Sequence, residues 1–329
     1  MSSVLETTRF SVLDRSRRRE GQSHPEALRE TVAFAREIEA LGYHRFWVSE
    51  HHSVPGIAGS APTVLAAAVA AATSRIRVGT GGVMLPNHRP LVVAEQFGVL
   101  EALYPGRIDM GLGRSVGFTG GVRRALGHGK DDADAFAGQL RELLGFLEGG
   151  NGDGVHAWPA EGLKIPAFVL ATGAGAGIAA ELGLPLVVGG PEERIVPAIE
   201  RYRADFRGAR PYVVVSGTVA IADSRQEARE MLVPEAWAFA HARTRGDFPP
   251  LPPAAEIRAM DMSERERRVF GESMRGQVHG TDDEVAEALE GLIERTGADE
   301  FLVHTSTHDR RARLESHRRL AALARLTDR

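Results

Sequence analysis

The chain has 329 residues, 43% of them hydrophobic, and a formal charge of −4; that is enough apolar material for a large core, with no bias toward disorder or a fibrous repeat. The slight acidity, with no RNA- or DNA-binding motif, argues against a nucleic-acid surface. The lack of cysteine excludes disulfides, thiolate-bound zinc, iron–sulfur clusters and a thiolate nucleophile.

The dominant rhythm is a short strand, a turn, then an amphipathic helix. Residues 9–13 read as strand one. The helix over 25–41 opens with Ser23 and Glu26 at capping-box spacing, carries Pro25 in its first turn and closes at Gly42. Strand two is 46–49, an Ala-rich helix covers 63–73, and strand three is 76–79 with a Gly-rich extension to Pro86. The 61–72 stretch is the longest near-apolar run, but it contains Pro62 and is too short to span a bilayer. With no apolar leader at the start of the chain, a cytoplasmic location without membrane contact is expected. A helix over 92–103 stops before Pro105-Gly106, and 108–112 is strand four.

The second half keeps the pattern: helix 136–147, strand 167–170, helix 177–182, strand 186–188, helix 195–206, and the longest strand pattern at 212–221. Ser224 and Glu227 make another cap before a helix that fades near His241; 246–253 then breaks all periodicity with four prolines. Thr281 and Glu284 cap a helix ending at Gly297, 301–303 is the eighth strand, and 310–326 closes the chain as a helix. Eight strand–helix units predict an α/β fold, a (β/α)8 TIM barrel over 1–329 as one domain. The stretch 243–280 is too long for an ordinary loop, so it reads as an insertion after strand seven, with a short exposed helix at 263–268 and a candidate lid role.

Four places carry more than barrel packing requires. Strand two runs straight into Glu50-His51-His52, ionisable groups at what should be the barrel mouth. Neighbouring strand residues point to opposite faces and no His-Glu-x-x-His or Cys set is present, which argues against a metal; a proton-handling His or a structural one remain. Gly79 to Pro86 bunches glycines after a strand, either a plain turn or a shelf on which a flat ligand lies against the main chain. Arg114, between Gly111-Leu112-Gly113 and Ser115-Val116-Gly117, reads as a phosphate clamp or a surface ion pair. The run Ala171-Thr172-Gly173-Ala174-Gly175-Ala176-Gly177 enters a helix, where free N–H groups favour an anion; it lacks the glycine spacing and acidic partner of a dinucleotide fingerprint. The basic run Arg15 to Arg19 reads as a solvated loop, with only a weak suggestion of an anionic substrate.

The ordered set Leu41-Gly42-Tyr43 to His52, Ser74 to Pro86, Ala94-Glu95-Gln96, Tyr104 to Arg114, Ala180 to Pro185 and Gly297-Ala298-Asp299-Glu300 resembles the bacterial luciferase-like flavin monooxygenases over most of the chain. The resemblance implies reduced FMN, delivered by a separate NAD(P)H-dependent flavin reductase, that reacts with O2 to give a C4a-hydroperoxyflavin and oxygenate a bulky organic substrate. It implies a catalytic His51 with Glu50 beside it, and a phosphate held by Arg114 and by Thr172, Gly173 and Gly175. It also implies a cis Gly81–Gly82 peptide against the flavin ring, with Met84 and Val116 also lining the cofactor. Ala171 departs from the family's polar residue before the phosphate hydroxyl, so backbone contacts should dominate there. The segment 115–130 looks most like a subgroup tailoring aromatic polyketides in antibiotic biosynthesis. The Ala-rich 63–73 helix implies a homodimer. A deazaflavin-dependent oxidoreductase and a non-catalytic flavin-binding protein share this barrel and remain as alternatives.

Overall fold

Parallel pairing carries the chain around a full circle. The computed structural model describes residues 3–171, 173 and 175–328, the last by its backbone alone. Its strands are β1 (Arg9–Asp14), β2 (Arg45–Val48), β3 (Arg77–Thr80), β4 (Val83–Met84), β5 (Ile108–Gly113), β6 (Ala167–Leu170), β7 (Leu186–Gly189), β8 (Val213–Gly217), β9 (Val219–Ile221), β10 (Val278–Gly280) and β11 (Glu300–Val303). The sheet order is β3-β2-β1-β11-β8-β7-β6-β5-β4, and β3 also pairs with β5, which closes an eight-stranded barrel. The short β4 continues β3 past a cis Gly81–Gly82 bond and pairs with β5. This is the (β/α)8 fold expected from the alternation.

Side-chain alternation sorts the strands into two cores. Odd-numbered β1 and β2 residues point inward: Leu13 and Trp47 pack with Phe168, Val187, Val214 and Leu302 inside the barrel. Phe10, Val12, Phe46 and Val48 point outward into the larger core beneath the helices, with Phe34, Ile38, Val69 and Phe97. The indole of Trp47 meets the Phe168 ring edge-on, centroids 5.0 Å apart. Room for it comes from glycine: a Cβ on Gly79 would lie 2.9 Å from Trp47 Nε1, and one on Gly111 would lie 1.9 Å from the Thr80 carbonyl oxygen.

Buried charge seals the N-terminal end of the barrel. Arg45 donates from Nε to both oxygens of Glu300 at 3.0 Å and from Nη1 to Asp109 at 2.7 Å. Arg77 and the Trp47 indole N–H also donate to Asp109, and Tyr212 donates to Glu300 at 2.7 Å. Each carboxylate is thus paired and hydrogen-bonded, the condition under which buried ions are tolerated.

The helix ends follow the caps read from sequence. Around His24–Ala40, Ser23 Oγ accepts from Glu26 N at 3.4 Å and Ser23 N donates to the Glu26 carboxylate at 2.8 Å, worth about 1 kcal/mol. Thr281 with Glu284 forms the same reciprocal box at Asp282–Thr296, which ends on left-handed Gly297.

Three expectations change. The 212–221 strand pattern is two strands: the chain leaves the barrel at Thr218, where Thr305 Oγ1 accepts from Val219 N and donates to Val219 O in place of a ladder partner. Beyond the break, β9 pairs with β10 in a small separate sheet. The following helix does not fade at His241 but runs Arg225–Arg245. The 263–268 segment is the start of a longer helix, Glu264–Met274, capped by Ser263 and Glu266 and not solvated all round. Met274 and Ile257 pack on Met231, Leu232 and Ala236 of the long helix, and Glu266 is buried against Arg245. An apolar face spaced for helix was hidden there by the density of charge around it.

Candidate active site at the barrel mouth

The strand register brings the sequence-predicted groups to one end. Val48 pairs with Thr80, Met84 with Gly113, and Gly113 with Leu170. The loops that carry Glu50 and His51, Gly81 and Gly82, and Arg114, and the chain at Ala171, therefore all leave the C-terminal rim, where barrel enzymes place their chemistry.

His51 stands half-buried just past β2. Its Nδ1 lies 3.1 Å from Ser49 Oγ, and its ring stacks on Phe118 with centroids 6.1 Å apart and planes 13° from parallel. Burial, reinforced by the cations Arg15 and Arg17, pushes its pKa down to about 3. The imidazole is therefore neutral across the neutral pH range.

Glu50 is buried and fully engaged. One oxygen lies 2.7 Å from His52 Nε2 and 2.9 Å from His88 Nε2, and the other accepts from Met84 N at 2.8 Å. Burial would raise its pKa, but these bonds outweigh it and hold the carboxyl below its usual value. Its carboxylate pins β4, and so the Gly81–Gly82 turn, to the end of β2. His52 is engaged with that carboxylate.

The glycine segment has a floor. A Cβ on Gly81 would meet Leu13 Cδ1 at 2.8 Å and Trp47 Cε3 at 3.1 Å, and one on Gly82 would meet the Gly111 carbonyl oxygen at 2.7 Å. Barrel packing thus demands these glycines, a reason the sequence did not reveal. Met84 and Val116 are buried. The Arg114 side chain is 43% exposed and, among the described residues, has only a loose approach to Asp134, 3.8 Å. Gly173 is exposed with φ +81°, and a Cβ on Gly175 would meet Ala171 Cβ at 2.5 Å. Thr172 lies outside the described residues.

The basic run is the main correction at the mouth. Arg15 and Arg17 turn in from the end of β1 instead of lying in solvent. Arg15 donates to the His304 carbonyl at 3.0 Å and pairs with Glu235. The guanidinium of Arg17 sits 5.8 Å from the Phe248 ring centroid. Glu235 is held below the usual carboxylate range because Arg15, Arg17 and His304 outweigh its burial, while burial pushes His304 down to about 4. The position of the run directly after a barrel strand was the available signal. Glu235, in mid-helix, offered none.

The 246–253 segment joins these groups. Phe248 lies 5.6 Å from Phe118, centroid to centroid, and its own segment is bonded to two other loops. Gly56 N donates to Phe248 O at 2.7 Å, Leu251 N to Arg18 O at 2.9 Å and Glu20 N to Leu251 O at 2.9 Å.

Comparison with known proteins agrees with this geometry. The sequence profile of the luciferase-like monooxygenases matches residues 8–300. A luciferase-like monooxygenase of Escherichia coli (strain K12) is 36% identical over 319 residues, covering 94% of this chain and 95% of that one. The N-acetyl-S-alkylcysteine monooxygenase of Bacillus subtilis (strain 168) is 36% identical over 238 residues, 68% of this chain and 71% of that protein. The crystal structure of apo-MsnO8 superposes with a TM-score of 0.85 at 32% identity, covering 98% of this chain and 99% of that one. By sequence and by fold, the chain belongs to the luciferase-like monooxygenase family.

Proposed function

We propose that the chain is a two-component monooxygenase that receives reduced FMN from a separate flavin reductase in the cytoplasm and oxygenates a bulky organic substrate. The observation that carries this reading is the single row Met84, Gly113 and Leu170 across β4, β5 and β6. It sets Arg114 and Ala171 on adjacent strand ends, with the cis Gly81–Gly82 turn and His51 following the neighbouring strands. The residues suit an FMN: a guanidinium that among the described residues pairs only loosely, with Asp134 at 3.8 Å, and a glycine turn that packs on Trp47 and Leu13.

When bound, reduced FMN supplies the electrons that activate O2. Arg114, Gly173 and Gly175, with Thr172, would hold its phosphate, while Gly81, Gly82, Met84 and Val116 would line the ring. His51, neutral and hydrogen-bonded to Ser49, would hold or move a proton at Nε2. Glu50 would act by positioning the glycine turn. Phe118, Phe248 and the 246–253 segment would exclude water. A substrate of the aromatic polyketide class fits an aromatic-walled mouth. A second copy of the chain would dock on the helices Pro62–Ala72 and Pro90–Leu103, where Val64, Val92, Val99 and Leu103 stand exposed.

The test is a titration with FMN and reduced FMN, followed by product analysis under air with a reductase. Arg114→Ala should weaken FMN binding on the order of tenfold. Identical titrations for variant and wild type would remove the phosphate assignment. Binding of the deazaflavin F420 in place of FMN would replace the cofactor, and flavin binding with no oxygenated product would leave a non-catalytic binder.

A further inference from the structure

We propose that Arg17 seats an anionic group of the substrate, of the carboxylate class, with the apolar body of that substrate lying against Phe118 and Phe248. The proposal deepens the oxygenase reading and rests on it for the word substrate; the anion site itself rests on the arginine.

The four arginines of the 15–19 run differ in what they hold. Arg15 commits Nη2 to the His304 carbonyl and Glu235, although its Nε is buried without a partner among the described residues. Arg18 donates to the carbonyls of Gln22 and Pro55, both at 2.8 Å, and Arg19 pairs with Glu30. Arg17 has no such engagement: Nε, Nη1 and Nη2 are all shut off from solvent without a hydrogen-bond partner among the described residues. Five N–H donors left unpaired in a buried site are costly unless an acceptor arrives.

The backbone aims this side chain. Ser16 sits at φ +51° and donates to Asp14 Oδ1 at 2.6 Å, and Arg17 then bridges to Ile57. The charged and titratable groups around it are Arg15, Glu235, His51 and His304. Burial holds both imidazoles neutral, so two cations face one carboxylate, whose Oε1 is paired with Arg15 and whose Oε2 has no hydrogen-bond partner among the described residues. One positive charge is left over, in a planar fork that matches a carboxylate. Around it stand Phe248, whose ring centroid is 5.8 Å away, and Phe118, stacked on His51. An acid with an apolar body would place its head on Arg17 and its body along the rings beside His51.

The experiment measures calorimetric affinities of the full chain for 2-naphthoate and octanoate, each beside its uncharged alcohol, in wild type, Arg17→Gln and Arg17→Lys. The expected result is that at least one carboxylate binds about tenfold tighter than its alcohol, that Gln abolishes this preference, and that Lys keeps part of it. Equal affinity of acid and alcohol, binding of neither pair, or a preference that survives in Arg17→Gln would overturn the proposal. FMN titration of the same proteins separates the two readings. A carboxylate preference in a chain that binds no flavin would sink the oxygenase reading and leave the anion site standing. An Arg17→Gln loss of FMN affinity equal to that of Arg114→Ala would assign Arg17 to the cofactor and overturn this inference.

Discussion

The chemistry proposed for the mouth rests on one side chain, His51. With its pKa pushed down to about 3 by burial and by Arg15 and Arg17, it enters any reaction at neutral pH as an imidazole and not as an imidazolium. His51→Ala should leave FMN binding close to wild type and cut product on the order of a hundredfold, with hydrogen peroxide released instead. Coupled measurement of oxygen uptake, peroxide and product checks this; unchanged product yield would leave His51 a packing residue. Glu50, adjacent in sequence, is held by hydrogen bonds to His52, His88 and Met84 N, and the positioning role proposed for it follows from them. Its bond from Met84 N ties β4 to the end of β2, so its loss should disturb the glycine turn before it disturbs any proton transfer.

Three loops at the rim behave as one element because their backbones are bonded together. The candidate lid is the 243–280 stretch, and the hydrogen bonds of its 246–253 segment to the 51–59 and 15–22 loops would make that segment a fixed cover more than a swinging one. Gly56 is the point of closest approach: a Cβ there would fall 2.0 Å from the Pro249 carbonyl oxygen. Gly56→Ala should therefore lift the cover without touching the barrel strands. The expected outcome is faster proteolytic nicking within 246–253 and a higher ratio of peroxide to product, with the urea unfolding midpoint nearly unchanged. Wild-type nicking and coupling in this variant would show that the cover has no part in excluding water.

At the scale of the molecule, acid and assembly are the two exposed dependencies. His44, His51, His304 and His317 are pushed down from an ordinary 6.5 to about 4, 3, 4 and 3, chiefly by burial. Below about pH 6.5 the unfolded chain takes up protons that the folded chain refuses. Stability is thus complete above that value and is lost progressively as pH falls toward 4. Urea midpoints at pH 7.5, 6 and 5 should decline in that order, and a flat series would contradict the burial of these rings. For assembly, Val64 and Leu103 are 70% and 64% exposed on adjacent helices. The double change Val64→Glu with Leu103→Glu should convert a dimer to a monomer in light scattering while leaving the fold intact; a wild type already monomeric would remove the dimer.

Strand and helix periodicity, the Ser23 and Thr281 caps and the glycine stops were legible residue by residue, because hydrophobic spacing and capping are local properties of the chain. They sufficed for the barrel and for the rim on which Glu50, His51 and Arg114 stand. Other features depended on distances no spacing encodes. Gly81 and Gly111 answer to Trp47 and Thr80 across the barrel, Thr305 turns β8 out of the sheet, and Glu235 reaches from a distant helix to Arg15. The same holds for the basic run. As a string it is a hydrophilic loop, and only when the ring of strands closes does Arg17 lose its water and come to rest beside Phe248.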